Sequence, residues 1–361
     1  MIKTYATHFC GVGGACAGLH QAGLECKLAI DYVDFIVKAR LKNTGHQALC
    51  MNVADYEPKD EHAADFFWTS PPCQTFSTAA RDDYFKAINA YEKNDLSLLE
   101  KMKEDARHNL FMASVNYVKW FMPKFVVLEN VMGLLTHDDV TGQNSGTFSK
   151  MMRTFSNLGY NVEWDVLNSL EYGLCQDRDR VFIVCSRDGH KGLIPMPTTP
   201  LKDARFGSIM DRYTTDGAWA GSTYQTAVEK VKRTNVEITV VTPDDVLPTI
   251  TCGWGGGPTR KKVAILDSTK KGLHFLRNPT VAEGARAQGF PKEWTYPDNL
   301  TQAWTLIGNA VSSPVARALA EHLIALDKGE RPAYRTSKWS PRIPQAAKYD
   351  LPPPDMFAEA V

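Results

Sequence analysis

Short apolar runs, each closed by turn residues, recur through the first half of the chain. They are YATHF (5–9), CKLAID (26–31), DFFWTS (65–70), FVVLEN (125–130) and RVFIVCS (180–186). Runs of this length read as strands buried on both faces of a parallel sheet. Between them the period lengthens: 15–22, the amphipathic stretch 35–42 and 108–121 read as helices. Such alternation predicts a doubly wound α/β fold with a mostly parallel sheet, binding its ligands at the carboxyl ends of the strands.

After Arg187 the texture changes to short strands and turns rich in Pro, Gly and Thr, which predicts a second, smaller domain over 188–304. TQAWTLIGNAVSSPVARALAEHLIAL (301–326) then returns to a long amphipathic helix, with Ser312, Ser313 and Pro314 as a helix start. We therefore expect 1–187 and 305–327 to form one domain, and 328–361 to be a Pro-rich tail packed against it.

Composition narrows the function less than the pattern does. Of 361 residues 43% are hydrophobic and 23% charged, enough for a folded core. The formal net charge of +0 argues against a generally basic nucleic-acid binder but leaves room for a local basic face. Eight cysteines without a CxxC pair suggest neither a disulfide framework nor a metal site. No apolar run is long enough to span a membrane, and the N-terminus lacks a signal-peptide pattern, so a cytoplasmic protein is expected.

Several stretches carry candidate chemistry. HFCGVGGACAGL (8–19) joins a strand to a helix; its glycines serve either a plain structural turn or a close ligand approach to the helix N-terminus. Asp31 ends the next strand, where a carboxylate can accept from ribose hydroxyls, and Tyr32 can stack on a base. SPPCQ (70–74) sets Cys73 directly behind two prolines, as a loop thiol or as a nucleophile held by stiff backbone. Glu129 closes an apolar strand, as a strand-capping acid or as a poorly solvated catalytic one. Arg178 and Arg180 share one face at strand period two, and their alternation with Asp177 and Asp179 suits an exposed ion-paired edge.

In order, FCGVGG (9–14), PPCQTFS (71–77), LENV (128–131), QDRDR (176–180), RNPTVAEGARAQGFP (277–291) and GNAV (308–311) resemble the DNA (cytosine-5) methyltransferases of bacteria and phages. The resemblance covers nearly the whole chain. It implies the class I S-adenosylmethionine-dependent methyltransferase fold with a target-recognition domain, and transfer of a methyl group from S-adenosylmethionine to carbon 5 of a flipped-out cytosine. It implies Cys73 as nucleophile on carbon 6, Glu129 at N3, Arg180 at O2 and Arg178 as a supporting member of the catalytic set.

For the cofactor it implies Phe9, Val12 and Gly14 at the methionine end, Asp31 at the ribose, Tyr32, Asn52 and Val53 at the adenine, with Pro72, Asn309 and Val311 completing the pocket. Three positions depart from the family pattern: Asp31 where Glu is common, Asn52 where Asp is usual, and Ala310 for a frequent Ser. The partner implied is double-stranded DNA, bound by a monomer without metal. Gln74, Ser77, Arg81 and Arg107 would meet it near the site. Thr249, Ile250, Arg260, Lys261, Lys262 and Arg277 would meet it from the recognition side. A tRNA cytosine-5 methyltransferase and a non-catalytic DNA-binding relative are the alternatives. A recognition segment over roughly 190–275 disfavours the first, and the presence of Cys73, Glu129 and Arg180 disfavours the second.

Overall fold

The computed structural model describes residues 1–72, 110–136, 146–199, 204–214, 237–255, 261–268 and 274–336. Seven strands form one sheet: β1 (Thr4–His8), β2 (Glu25–Asp31), β3 (Leu49–Cys50), β4 (Phe66–Thr69), β5 (Phe125–Val131), β6 (Asn161–Asn168) and β7 (Asp179–Ser186). Their order is β3-β2-β1-β4-β5-β7-β6. The first five run parallel, and β7 is antiparallel to both its neighbours. The chain winds outward from β1 to β3, then returns to the other side of β1 as β4. That reversal creates a crevice at the carboxyl ends of β1 and β4, where open α/β sheets take their ligands.

Side chains of successive strand residues go to opposite faces, and each face buries its own core. Phe66, Trp68, Phe125 and Val127 join one cluster with α1 (Gly14–Gln21) and α7 (Ser313–Asp327). Phe67, Val126 and Leu128 join the other, with α3 (Leu110–Phe121) and α4 (Gly146–Asn157). Helix α2 (Asp34–Thr44) follows β2. Strand β6 and helix α4 had no counterpart in the sequence reading. The first half of β6 is only partly buried, so it shows no continuous apolar run.

A second sheet, ordered β10-β9-β8, comprises β8 (Glu237–Val241), β9 (Lys261–Ser268) and β10 (His274–Arg277). It shares a third core with α5 (Val281–Ala287) and α6 (Leu300–Gly308), built on Phe206, Ile250, Ile265, Phe290 and Trp304. The long helix expected over 301–326 is therefore two. Helix α6 ends at Gly308, where a Cβ would lie 2.3 Å from the Cys252 backbone nitrogen. Helix α7 restarts at Ser313 with Pro in its first turn, a position that needs no backbone donor. Residues 304, 306 and 307 thus pack with the third core rather than with the large sheet.

His8 closes β1 beneath the crevice, fully buried among the rings of Tyr56, Phe67 and Tyr117. Its Nδ1 lies 3.2 Å from Ser114 Oγ, which in turn meets Thr69 Oγ1 at 2.8 Å. Burial pushes the imidazole down to about 3, so the folded chain holds it neutral while the unfolded chain protonates below about pH 6.5. The stability due to this depressed group is complete above pH 6.5. It is lost as pH falls toward 3, at up to about 1.4 kcal/mol per pH unit. Denaturant titrations at pH 7 and pH 4.5 are expected to show a larger loss for the wild type than for His8→Leu.

Candidate active site at the carboxyl ends of the strands

Strand β4 stops at Thr69 and the chain turns through Ser70, Pro71 and Pro72. Two successive prolines lack backbone donors and have φ fixed by their rings, so the ladder cannot continue. Pro71 is buried, and Asn130 Nδ2 donates to its carbonyl at 3.3 Å, tying the turn to the end of β5. Cys73 follows Pro72 directly in the sequence; it and Gln74, Ser77, Arg81, Arg107 and Arg260 lie outside the described residues.

Glu129 sits one residue before Asn130 on β5 and is 8% exposed. In the antiparallel register Glu129 faces Phe182 and Val131 faces Arg180, so Arg180 is a diagonal neighbour on Glu129's own face. Its Nε lies 3.3 Å from Glu129 Oε1. Burial raises the pKa of Glu129, and Arg180, Arg178 and a hydrogen bond from Ser70 partly oppose the rise. The carboxyl therefore keeps its proton to higher pH than an exposed glutamate, which suits a group that must donate. Glu129 and Arg180 line a narrow crevice with Leu167, Phe182, Val311 and Ser312.

Arg178 behaves differently from Arg180 and corrects its grouping with the catalytic residues. Its guanidinium is buried, donating to the carbonyls of Ile250 at 2.9 Å, Gly308 at 3.0 Å and Ala310 at 2.9 Å. It joins the start of β7 to the third core and to the loop between α6 and α7. Gln176 adds to the joint, accepting from Ile250 N and donating to Ala287 O. Gln288 donates to Ile307 O and accepts from Ser312 Oγ, which meets Ser169 Oγ at 2.8 Å. The sequence reading missed Gln176, Gln288, Ser312, Ser70 and Asn130. Their signal was adjacency to the motifs, which names no partner.

A family model described as C-5 cytosine-specific DNA methylase matches residues 7–325. The chain belongs to that family. A type II methyltransferase of Lactococcus lactis subsp. cremoris, M1.ScrFI, is 27% identical over 90% of this chain and 78% of its own length. M.MthTI, a type II methyltransferase of Methanothermobacter thermautotrophicus, is 28% identical over 88% of this chain and 96% of its own. Among solved structures, the methyltransferase EhMeth of Entamoeba histolytica covers 92% of this chain and all of its own, with a TM-score of 0.68 at 16% identity. The fold is that of the class I methyltransferases.

The methylase's glycine turn is a built feature. Phe9 has φ 54°, rare for a bulky residue, and Gly11 and Gly13 are also left-handed, at 54° and 99°. At Gly14 a Cβ would lie 2.2 Å from Val311 O, so the turn and the 308–311 loop touch through backbone. Asp31 Oδ2 accepts from Gly11 N at 2.9 Å and Oδ1 from Val33 N at 3.2 Å; burial raises its pKa against these bonds. Tyr32 is 67% exposed, leaving its ring face open for stacking. Val12, Val53 and Val311 are buried, Pro72 is half-buried and Asn309 exposed. The Asn52 amide oxygen, read from sequence as an adenine acceptor, caps a short turn by accepting from Ala54 N. Strained turn, carboxylate and open aromatic ring together fit a nucleoside cofactor.

The recognition side needs two corrections. Ile250 is fully buried in the third core, and so cannot contact DNA. Arg277, expected at phosphate, is 0% exposed and bonded to Asp267 and Glu283 at 2.8 and 2.7 Å. Asp267, the only acid among residues 257–277 of the sequence, is thus its buried counter-ion. Thr249 is half-buried and donates to Asp177 O at 2.7 Å. Only the β9 backbone is described for Lys261 and Lys262. A crevice of about 410 Å³ opens elsewhere, between α5 and the 291–298 segment, lined by Trp294 and Tyr296 and by none of the candidate site residues.

Proposed function

We propose that the chain methylates carbon 5 of a cytosine extruded from a specific double-stranded DNA sequence, through a covalent adduct on Cys73. The observation that carries this reading is the Glu129–Arg180 pair, 3.3 Å apart at the end of β5 and the start of β7, beside the turn that leads into Cys73. A carboxyl and a guanidinium on one wall match the N3 and O2 edge of cytosine, and carbon 6 would face the thiol.

In this mechanism the Cys73 thiolate adds to carbon 6 while Glu129 donates its proton to N3 and Arg180 holds O2. The ring electrons are pushed to carbon 5, which becomes nucleophilic. S-adenosylmethionine, held by Phe9, Gly14, Asp31 and Tyr32, supplies an electrophilic methyl carbon when bound. Loss of the carbon-5 proton to a base then expels Cys73 as thiolate, and the N3 proton returns to Glu129 as the aromatic ring is restored. Arg178, Gln176 and Gln288 keep the recognition core at a set angle to this crevice, so duplex and pocket are presented together.

The enzyme would act as a monomer in the cytoplasm, beside a restriction activity, as the type II relatives suggest. Plasmid DNA from cells expressing the chain, sequenced after bisulfite conversion, is expected to show protected cytosines within one short motif, absent from cells without the gene. Unprotected plasmid together with labelled-methyl transfer to tRNA would overturn the DNA assignment.

A further inference from the structure

Ser70 is the residue before the two prolines, and its hydroxyl has two partners that constrain each other. Trp68 Nε1 donates to Ser70 Oγ at 2.9 Å; Ser70 follows Thr69, the ladder partner of Leu128, which sets its hydroxyl beside the Glu129 carboxyl, whose pKa it lowers. A serine hydroxyl has one proton. With the indole N–H occupying a lone pair, that proton is free to point at Glu129. The indole itself cannot swing away. Trp68 is 1% exposed, with its ring 6.1 Å from Phe182, the residue opposite Glu129 in the β5–β7 ladder, and 6.5 Å from Phe66.

We propose that Ser70 is a positioning residue: the relay from the Trp68 indole through the Ser70 hydroxyl fixes where the Glu129 carboxyl points. This rests on the assignment of Glu129 to the cytosine ring made above. Arg180 holds the carboxyl from β7, and Ser70 holds it from the turn after β4, so the group is gripped from two sides. A carboxyl gripped only by Arg180 could rotate toward the guanidinium and away from the position of N3. The relay also sets when the carboxyl ionises. A donor aimed at the carboxylate favours its charged form, opposing the burial that keeps it protonated. Other groups facing Glu129 are Arg180 and Arg178 from the β7 side, with the uncharged Ser169 and Ser312 lining the crevice from the β6 end and the α7 start. Cys73 is the one further titratable group that the proposed reaction adds.

The test uses the full chain labelled with ¹³C at glutamate carboxyls, with the Glu129 signal assigned by its loss in Glu129→Gln. In Ser70→Ala the titration midpoint of that signal is expected to rise by about one pH unit, since a bond to a charged acceptor is lost. Ser70→Thr, which keeps a hydroxyl, should stay near the wild-type midpoint. Trp68→Phe, which removes the indole N–H and replaces the buried bicyclic ring with a smaller one, should move the same way as Ser70→Ala. Methyl transfer by Ser70→Ala is expected to lose about tenfold in kcat with KM for the cofactor unchanged, as a misplaced acid rather than a damaged binding site requires. A midpoint unmoved in both Ser70→Ala and Trp68→Phe overturns the inference, whatever the activity. A shifted midpoint in a chain that methylates no nucleic acid would keep the relay and overturn the role given to Glu129.

Discussion

Replacing Cys73 by alanine is expected to abolish methyl transfer, with a loss on the order of 10⁴-fold or more. Carbon 5 of cytosine is a poor nucleophile until something adds at carbon 6, and no other described side chain in the crevice can do so. Its lining offers a carboxyl, a guanidinium, the Ser169 and Ser312 hydroxyls and apolar groups. The two hydroxyls bond each other, and Ser312 also donates to Gln288. Cofactor and DNA binding should survive, because the glycine turn, Asp31 and the recognition core are untouched. The check is labelled-methyl transfer beside a trapping assay. DNA carrying 5-fluorocytosine lacks the carbon-5 proton whose loss releases the enzyme, so the wild type should remain covalently attached on a denaturing gel. Cys73→Ala should form no adduct. Residual transfer within tenfold of the wild type would place the nucleophile elsewhere.

The second large effect is structural. Arg277→Met should destabilise the chain by about 3–5 kcal/mol, because removing the guanidinium leaves two buried carboxylates uncompensated. Arg277 bonds Asp267 at 2.8 Å and both oxygens of Glu283 at 2.9 and 2.7 Å, and also donates to Asp211 O. Glu283 is itself the capping-box partner of Thr280 at the start of α5, so the loss reaches that helix end. Chemical denaturation should show the drop, and adding Asp267→Asn and Glu283→Gln should return part of it by removing the orphaned charges. A phosphate-binding arginine would behave otherwise: its loss would weaken DNA affinity and lower the salt slope while leaving stability within about 0.5 kcal/mol.

The contrast between Arg277 and Arg180 shows where one-dimensional reading ends. Both are arginines near acids in the sequence, and the resemblance implies a nucleic-acid contact for each, Arg180 at cytosine O2 and Arg277 at the duplex. The sign, number and spacing of charges do not say which way a side chain points. Arg180 emerges beside Glu129 because β7 pairs with β5 in one register, bringing together residues 51 positions apart in the chain. Arg277 turns inward because β9 and β10 pair so that Ile265 faces Arg277, with Asp267 two residues along the same face. Registers of this kind follow from packing both sheet faces at once, which no local pattern encodes.

By itself the sequence determined the α/β class, five of the seven strands of the main sheet and the order of the chemistry-bearing motifs. Those depend on local facts: apolar runs closed by turns, glycines where the backbone must turn left, prolines that end a ladder. Only the tertiary structure decided which motif residues meet. It placed Glu129 against Arg180 and Ser70, sent Arg178 and Gln176 into the joint with the third core, and broke the last long helix at Gly308, where backbone from 251–252 leaves no room for a side chain. Each of these is a contact between distant segments, fixed by strand register and close packing rather than by the residue's own preference.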